Sequence, residues 1–322
     1  MKRVSLVILM VVALLAMTMP IAGAAKKVYS IGAASPGGTY YPYASGWSEL
    51  LKKKADMDVI VEVTGGATDN IRLVDSGEVE FGMATISTAY EAFQGTAPWT
   101  RKHTNIRAII PSYTNFFHFY VRGGIGINNV HDLAGKRVQL GPAGSTQDYY
   151  GRAILKVLGI EPAKIINVPY SDANNMIKDG LLDAAFLTAG LPNSSILELE
   201  VTHNITVIGI SGKDAEKFIK EYPYFAVVDI PGGTYKCAPK AVPTLTSTNF
   251  IIANKDVPAD VVYKAVKATF ANVDIIQASH KSAKETKPEA ASLSFIPLHA
   301  GAVKYYREVG IDVGNLVPPE MR

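Results

Sequence analysis

Two glycine-containing loops place hydroxyl side chains directly before segments with helical periodicity. Gly38 and Thr39 precede the first of these segments, and Ser145, Thr146 and Gln147 open the second. Unpaired backbone N–H groups and the positive end of a helix dipole favour a carboxylate or another small anion at such positions. Ordinary helix capping would also explain either loop. Two such loops that face one another across a cleft favour binding of a small organic anion or an amino acid.

Further uncharged polar groups follow three predicted strands. Ligands of open α/β sheets sit beyond the carboxyl ends of the strands, so these loops should line the same cleft. The three loops are Thr64-Gly65-Gly66, Thr85-Ile86-Ser87 and Thr188-Ala189-Gly190. The sequence therefore predicts one ligand cleft that is lined by hydroxyl groups, small residues and backbone.

Tyrosines cluster beside the two glycine loops. A tyrosine side chain supplies an apolar wall and one hydroxyl group, which suits a small amphipathic ligand. Tyr41 is the stronger candidate for ligand contact, whereas Tyr40 could serve either the ligand or the core. Helical periodicity assigns Tyr43 and Tyr150 to the buried faces of their helices.

The common catalytic and cofactor motifs do not occur in the sequence. There is no Gly-x-Ser-x-Gly elbow, His-Glu-x-x-His zinc motif, Walker phosphate loop or Gly-x-Gly-x-x-Gly dinucleotide loop. The six histidines are scattered without metal-ligand spacing, and Cys237 has no second cysteine to pair with. We therefore expect no catalytic residue, no metal and no cofactor, with a secreted α/β enzyme as the alternative class.

Two halves of the chain show the same order of elements. Short β-branched segments alternate with helical patterns, which is typical of an α/β fold with a mostly parallel sheet. Gly77 is followed by an acid three residues later and by Thr85 eight residues later. Gly180 has Asp183 and Thr188 at the same spacings. Coincidence could produce so few matches, but together with the repeated element order they favour two related lobes.

Two apolar segments, residues 116–121 and 246–253, would connect the halves as paired strands. Such a two-strand hinge lets two lobes rotate around a cleft without unfolding. The sequence thus predicts an α/β fold with two similar α/β lobes joined by a two-strand hinge. The expected division is a signal peptide (1–24), a first lobe (25–121 plus 247–322) and an inserted second lobe (122–246).

The N-terminal segment has the composition of a cleavable signal peptide. Lys2 and Arg3 precede an apolar stretch over residues 4–17, and small residues at 22–24 suit a cleavage point. The stretch is shorter than the roughly 20 residues that cross a bilayer. Loss of the two basic residues lowers the net charge of the 322-residue chain from +3 to +1, which argues against a nucleic-acid partner. We expect a periplasmic monomer.

The same loops carry a family resemblance that extends over the whole mature chain. Residues 35–42 (Ser-Pro-Gly-Gly-Thr-Tyr-Tyr-Pro) and 64–70 (Thr-Gly-Gly-Ala-Thr-Asp-Asn) resemble the TAXI-type solute receptors of tripartite ATP-independent periplasmic (TRAP) transporters. The likeness continues through residues 132–138, 183–192 and 296–306. It implies a two-lobed periplasmic binding protein (type II-like) that closes on a small solute and delivers it to integral membrane TRAP subunits. Family members are associated with glutamate, glutamine and related carboxylates.

By position, the resemblance implies binding by Gly38, Thr39, Tyr40, Thr64, Gly65, Ser145 and Thr188. The sequence departs from the family pattern at two places. A usual Gly-Ser-Gly-Thr reads Gly-Ser-Thr-Gln at residues 144–147, and a common Gln-x-Asp reads Thr-Ile-Ser at residues 85–87. Because the missing acid would be the natural partner of a ligand ammonium group, we hypothesise a preference for a carboxylate without an amino group. A glutamate- or glutamine-type receptor and a sensing receptor without a transporter remain alternatives.

Overall fold

The computed structural model describes residues 27–321, and the expected signal peptide lies outside this part of the chain. The described residues form ten strands. These are β1 (Val28–Gly32), β2 (Asp58–Glu62), β3 (Phe81–Thr85), β4 (Ile106–Arg122), β5 (Arg137–Gln139), β6 (Lys164–Ile166), β7 (Ala184–Ala189), β8 (Ile205–Ile208), β9 (Ala226–Ile230) and β10 (Val242–Asn254).

Ten α-helices lie within the same residues 27–321. They are α1 (Tyr40–Ala55), α2 (Ala67–Ser76), α3 (Ile86–Gln94), α4 (Thr146–Leu158), α5 (Tyr170–Lys178), α6 (Ser194–Thr202), α7 (Gly212–Glu221), α8 (Ala259–Ala271), α9 (Val273–Ser279) and α10 (Ala300–Glu308). None of them has the length and apolar character that a membrane-spanning helix needs.

The predicted duplication is visible in the sheet, whose main strand order is β2-β1-β3-β10-β4-β7-β5-β6. In the first half, β1 is parallel to both β2 and β3, and β10 pairs antiparallel with β3. In the second half, β5 is parallel to both β6 and β7, and β4 pairs antiparallel with β7. Each half therefore has the same four-strand arrangement, with two parallel neighbours around a first strand and one antiparallel strand at the inner side.

The repeated acid has the same structural role in both halves. Glu80 accepts a 3.0 Å hydrogen bond from the backbone N–H of Ser30 in β1. Asp183 accepts a 2.9 Å bond from the backbone N–H of Arg137 in β5, and it also pairs with the Arg137 guanidinium. The acid that follows each glycine thus anchors the first strand of its own half, which explains the repeated spacing.

The long strands β4 and β10 connect the two halves directly. They pair antiparallel from Leu245 opposite Phe117 to Asn254 opposite Ile106, with irregularities between Thr248 and Phe250 and between Ile251 and Ile252. The predicted segment 246–253 is most of β10, whereas the segment 116–121 is the C-terminal end of β4 and pairs mainly with β7 and β8. The strand pairing that connects the halves uses the part of β4 before residue 118.

The hydrophobic core is divided in the same way. One cluster of buried residues draws on residues 29–113 and 250–313, and two further clusters draw on residues 116–245. Phe117 and Phe119 pack against Tyr150 and Phe186 of the second half. We therefore keep the division into lobes as a proposal, but place its first crossing within β4 before residue 116 rather than at 121/122.

Helices α1 and α4 position the two glycine loops. Buried Tyr43 and Trp47 lie on one face of α1, which ends where Asp56 adopts a left-handed conformation. Buried Tyr150 and Ile154 lie on the matching face of α4. Because these faces pack into their lobes, the N-termini of both helices are fixed toward the region between the lobes.

Candidate functional site

A cavity lies between the two lobes at the N-termini of α1 and α4. Its volume is about 90 Å³. A single water needs about 10–15 Å³ of such space, so the cavity has room for a small organic molecule. Among the described residues that line it there is no Asp, Glu, Lys, Arg or His. Any charge on a bound molecule would therefore meet hydroxyl groups, amides and backbone rather than an opposite charge.

Most of the residues predicted from the sequence line this cavity. The nine that do so are Gly38, Thr39, Tyr40, Gly65, Thr85, Ser145, Thr146, Gln147 and Thr188. They come from both lobes and from the ends of separate strands, as the open-sheet argument requires. The two threonines at the repeated +8 position, Thr85 and Thr188, are both among them. Their contact with a ligand remains a prediction.

Four predicted residues lie outside the cavity lining. Tyr41 is half-buried and packs against the core of the first lobe. The Thr64 hydroxyl donates to Asn70 Oδ1 at 2.7 Å and accepts from the backbone N–H of Gly66, so it holds its own loop together. Ser87 is buried within the first turn of α3, and Ala189 is buried in a core cluster of the second lobe.

The structure reverses the expected order of the two tyrosines at the start of α1. Tyr40 lines the cavity, and its neighbour Tyr41 does not. Successive helical residues point about 100° apart, and this rotation directs the Tyr41 side chain to the core of the first lobe. Tyr43 and Tyr150 are fully buried, as the periodicity predicts.

Sequence reasoning missed a polar network on the hinge strands. The Tyr40 hydroxyl donates to Asn249 Oδ1 at 2.7 Å, and the Thr85 hydroxyl donates to the same oxygen at 3.0 Å. Asn115 Nδ2 donates in turn to Thr85 Oγ1 at 3.3 Å, and Asn115 lines the cavity. Asn115 lies on β4 and Asn249 on β10. The polar run at residues 246–249 was a signal that could have identified Asn249, whereas Asn115 lies one residue before the predicted segment 116–121.

Several further residues that were not named as ligand contacts also line the cavity. Tyr113 and Tyr170 add two more aromatic walls, and burial raises the pKa of Tyr170 to about 12. Burial likewise raises the pKa values of Tyr40 and Tyr113 well above their ordinary range, so all three phenols stay neutral donors at neutral pH. The other lining residues are Gly66, which belongs to a loop that the sequence placed at the cleft, and Ala34, Ser35, Ala67, Pro142 and Pro169.

The two helix N-termini differ in how their hydroxyl groups are used. Ser145 caps α4 by accepting a hydrogen bond from the backbone N–H of Asp148. Thr39 does not cap α1; its hydroxyl accepts from the backbone N–H of Gly190 in the other lobe at 3.2 Å. Within residues 27–321, the first backbone N–H groups of both helices, at Tyr40 and Thr146, have no hydrogen-bond partner. These donors are available to an anion in the cavity.

Further contacts between the lobes surround the cavity. Thr146 Oγ1 lies 3.2 Å from Thr68 Oγ1, and the carbonyl of Gly37 accepts from the Ser194 hydroxyl at 3.1 Å. The Tyr149 hydroxyl donates to the carbonyl of Ala97 at 2.9 Å. The lobes are thus in contact on several sides of the cavity, which corresponds to a closed arrangement.

Metal binding has no visible basis in the described part of the chain. No group of three or more His, Cys, Asp or Glu side chains among residues 27–321 could hold a metal ion. Burial and the neighbouring Glu200 carboxylate raise the pKa of Cys237 to about 12, so its thiol is not activated as a nucleophile at neutral pH.

A family comparison accounts for most of the chain. The sequence pattern of the NMT1-like family matches residues 31–310. The chain belongs to the NMT1-like family. The match includes both glycine loops, both hinge strands and all of the residues that line the cavity.

Solved structures show the fold of this NMT1-like protein. The periplasmic binding protein BugD is 14% identical and aligns over 89% of this chain and 99% of its own, with a TM-score of 0.56. A periplasmic transporter structure is 16% identical over 81% of this chain and 88% of its own, with a TM-score of 0.54. The GluR0 ligand-binding core from Nostoc punctiforme, in complex with L-glutamate, is 16% identical over 79% of this chain and 98% of its own, with a TM-score of 0.51. The two-lobed α/β fold of periplasmic binding proteins is therefore confirmed.

Proposed function

We propose that this NMT1-like protein is a periplasmic receptor that captures a small carboxylate between its lobes and delivers it to a TRAP-type membrane transporter. The observation that carries the proposal is the closed interlobe cavity, which has neutral hydrogen-bond donors at two helix N-termini and, within residues 27–321, no charged lining residue. Free N–H groups at Tyr40 and Thr146 suit a carboxylate, because helix N-termini favour negative charge.

The neutral lining also bears on the class of carboxylate. An ammonium group in this cavity would have no acidic partner among the lining residues that the structure describes, and burying an unpaired charge is costly. The cavity therefore favours a dicarboxylate or an oxo acid over an amino acid. An amino-acid receptor of the same fold is the second candidate, since a structural neighbour of this fold is a ligand-binding core in complex with L-glutamate.

Capture would follow from the contacts between the lobes. A ligand that touches both lobes stabilises the closed arrangement in which Thr39 contacts Gly190 and Thr68 contacts Thr146. Binding energy then appears as a shift from open to closed molecules, and a membrane partner can recognise the closed form. An enzymatic role lacks comparable support, because the described part of the chain contributes no acid–base pair to the lining.

Sequence features support the proposed transporter partner and the proposed periplasmic location. The motifs at residues 35–42 and 64–70 resemble TAXI receptors, whose partners are TRAP membrane subunits. The signal-like segment at residues 1–24 favours export, and the similar structures include periplasmic binding proteins. Delivery to TRAP subunits in the periplasm is the role that combines these features.

A thermal-shift panel tests the ligand class. The panel contains 2-oxoglutarate, succinate, fumarate and pyruvate beside L-glutamate and L-glutamine, all at the same concentration and ionic strength. We expect at least one acid without an amino group to raise the melting temperature more than either amino acid does. Strong stabilisation by glutamate together with no response to the other acids would support the amino-acid receptor instead. Mass spectrometry of solute that co-purifies with the protein checks the answer independently.

A further inference from the structure

A buried carboxylate joins the two lobes outside the cavity. Glu91 lies on α3 of the first lobe, and its Oε2 accepts a 3.0 Å hydrogen bond from the Tyr150 hydroxyl on α4 of the second lobe. Its Oε1 accepts a second hydrogen bond from the Tyr224 hydroxyl, between α7 and β9 of the second lobe. The Glu91 residue is 3% exposed, so contact between the lobes removes this acid from water.

The described residues around the Glu91 carboxylate include four tyrosines and no cation. Tyr149 and Tyr150 face it from α4, and Tyr222 and Tyr224 face it from the segment that follows α7. Within residues 27–321, no Lys, Arg or His interacts with its carboxylate. Among the described residues, a negative charge on the buried Glu91 carboxylate is therefore stabilised by two neutral hydroxyl donors, and burial of that charge is costly.

We propose that Glu91 is a proton-binding site of the closed protein, so that the lobes take up one proton when they close and release it when they open. The proton comes from solvent, adds to one carboxylate oxygen on closure and returns to solvent on opening. A protonated carboxyl group keeps both contacts, because its O–H donates to one tyrosine oxygen while its other oxygen accepts from the second tyrosine. The site lies outside the cavity lining, so it acts on closure without touching the solute.

The direction of the pH effect follows from the two states. Burial raises the pKa of Glu91 to about 7 in the closed arrangement, whereas an exposed glutamate has a pKa of about 4.3. Because the closed form holds the proton more tightly, closure becomes more favourable as the pH falls through 7. This gain is complete below the pKa of the exposed acid and is lost as the pH rises above 7.

The proposal extends the proposed function by giving closure a proton requirement, yet its test needs no solute. Cysteines introduced by Thr68→Cys and Thr146→Cys, in a Cys237→Ser background, would form a disulfide only when the lobes meet, because the two native hydroxyl oxygens are 3.2 Å apart. Copper-phenanthroline oxidation traps closed molecules as they form. The trapping rate is measured from pH 6 to pH 8 with Glu91 and with Glu91→Gln, which keeps the shape but stays neutral.

The readout is the trapping rate of Glu91→Gln divided by that of the Glu91 protein, since the pH dependence of the thiols cancels in this ratio. We expect the ratio to rise about tenfold between pH 6 and pH 8, as the Glu91 carboxyl ionises only in the parent protein. The exposed acid on α7 supplies a matched control, Glu216→Gln, whose ratio should stay constant.

A ratio for Glu91→Gln that does not change with pH would overturn the proton site. Far-ultraviolet circular dichroism and melting curves confirm that both variants fold. Tyr224→Phe provides a second test, because removal of one donor leaves the charged carboxylate less stabilised and should move the pH response to higher pH. Since no solute is present, a failed ligand panel and a failed proton site give separate results.

Discussion

The Tyr40 hydroxyl and Asn249 Oδ1 form a 2.7 Å hydrogen bond across 209 residues of sequence. Tyr40 is the first residue of α1, and Asn249 lies in the hinge strand β10. The bond therefore ties the cavity wall to the strand that connects the lobes. A solute that shifts the Tyr40 side chain can therefore act directly on the hinge strand through this hydrogen bond.

Tyr40→Phe should weaken solute binding by roughly two- to tenfold, since one net hydrogen bond is worth about 0.5–1.5 kcal/mol. The measurement is isothermal titration with the acid that gives the largest thermal shift in the panel. Tyr41→Phe is the matched control, because Tyr41 lies outside the cavity lining. A larger loss in Tyr41→Phe than in Tyr40→Phe would reinstate the order that the sequence favours.

Thr85→Asp should change the class of solute that binds. A carboxylate at this position would repel an anionic ligand and offer a partner to an ammonium group. We expect the affinity for the preferred acid to fall more than tenfold. The difference in affinity between that acid and L-glutamate should become smaller. Thr85→Asn, which has nearly the same shape without charge, should lose less. Equal losses in the Asp and Asn variants would show that charge at this position does not select the ligand.

Thr269→Val should destabilise the first lobe. The buried indole N–H of Trp47 donates to Thr269 Oγ1 at 2.8 Å and joins α1 to α8. Loss of the acceptor leaves a buried donor unpaired, which costs about 1–3 kcal/mol of unfolding free energy. Urea denaturation measures the change, with the exposed Thr202→Val as control. An unchanged midpoint would mean that the indole finds another acceptor.

Asp183→Asn should lower stability at neutral pH by an amount that shrinks in acid. Hydrogen bonding to the Arg137 guanidinium lowers the pKa of Asp183 to about 2 in the folded protein. A depressed folded pKa gives stability that is present above the ordinary pKa of about 3.9 and is lost as the pH falls toward 2. Melting curves at pH 7, 4 and 2 should show the parent and the variant converging. The exposed Asp179→Asn should show no such convergence.

The sequence predicted the fold well because its signals were local. Apolar spacing located α1 and α4, and the repeated spacings after Gly77 and Gly180 correspond to equivalent strands, β3 and β7. The acids at +3 proved to be structural anchors, and the threonines at +8 line the cavity. One short pattern thus contained both a folding constraint and part of the candidate site.

The remaining site residues depend on information that is not local. Asn115 on β4 reaches Thr85 on β3 because β10 pairs with both strands, and pairings across more than a hundred residues are invisible in a short motif. Tyr40 and Tyr41 could not be separated without the starting residue of α1, since a shift of one position rotates the helix by about 100°. Thr64 was misplaced for a related reason, because its hydroxyl turns inward to Asn70.

The division of the core has a consequence for the order in which the chain can fold. The two clusters of the second lobe draw on one continuous stretch, residues 116–245, whereas the first lobe also needs residues 250–313. A chain emerging from its N-terminus can therefore complete the second lobe while the first lobe still lacks the later part of β10, from residue 250 onward, and α8. The first lobe, which contains the N-terminal residues, is therefore the last to fold completely. The indole N–H of Trp47 gains its hydrogen-bond acceptor only after Thr269 has been added to the chain.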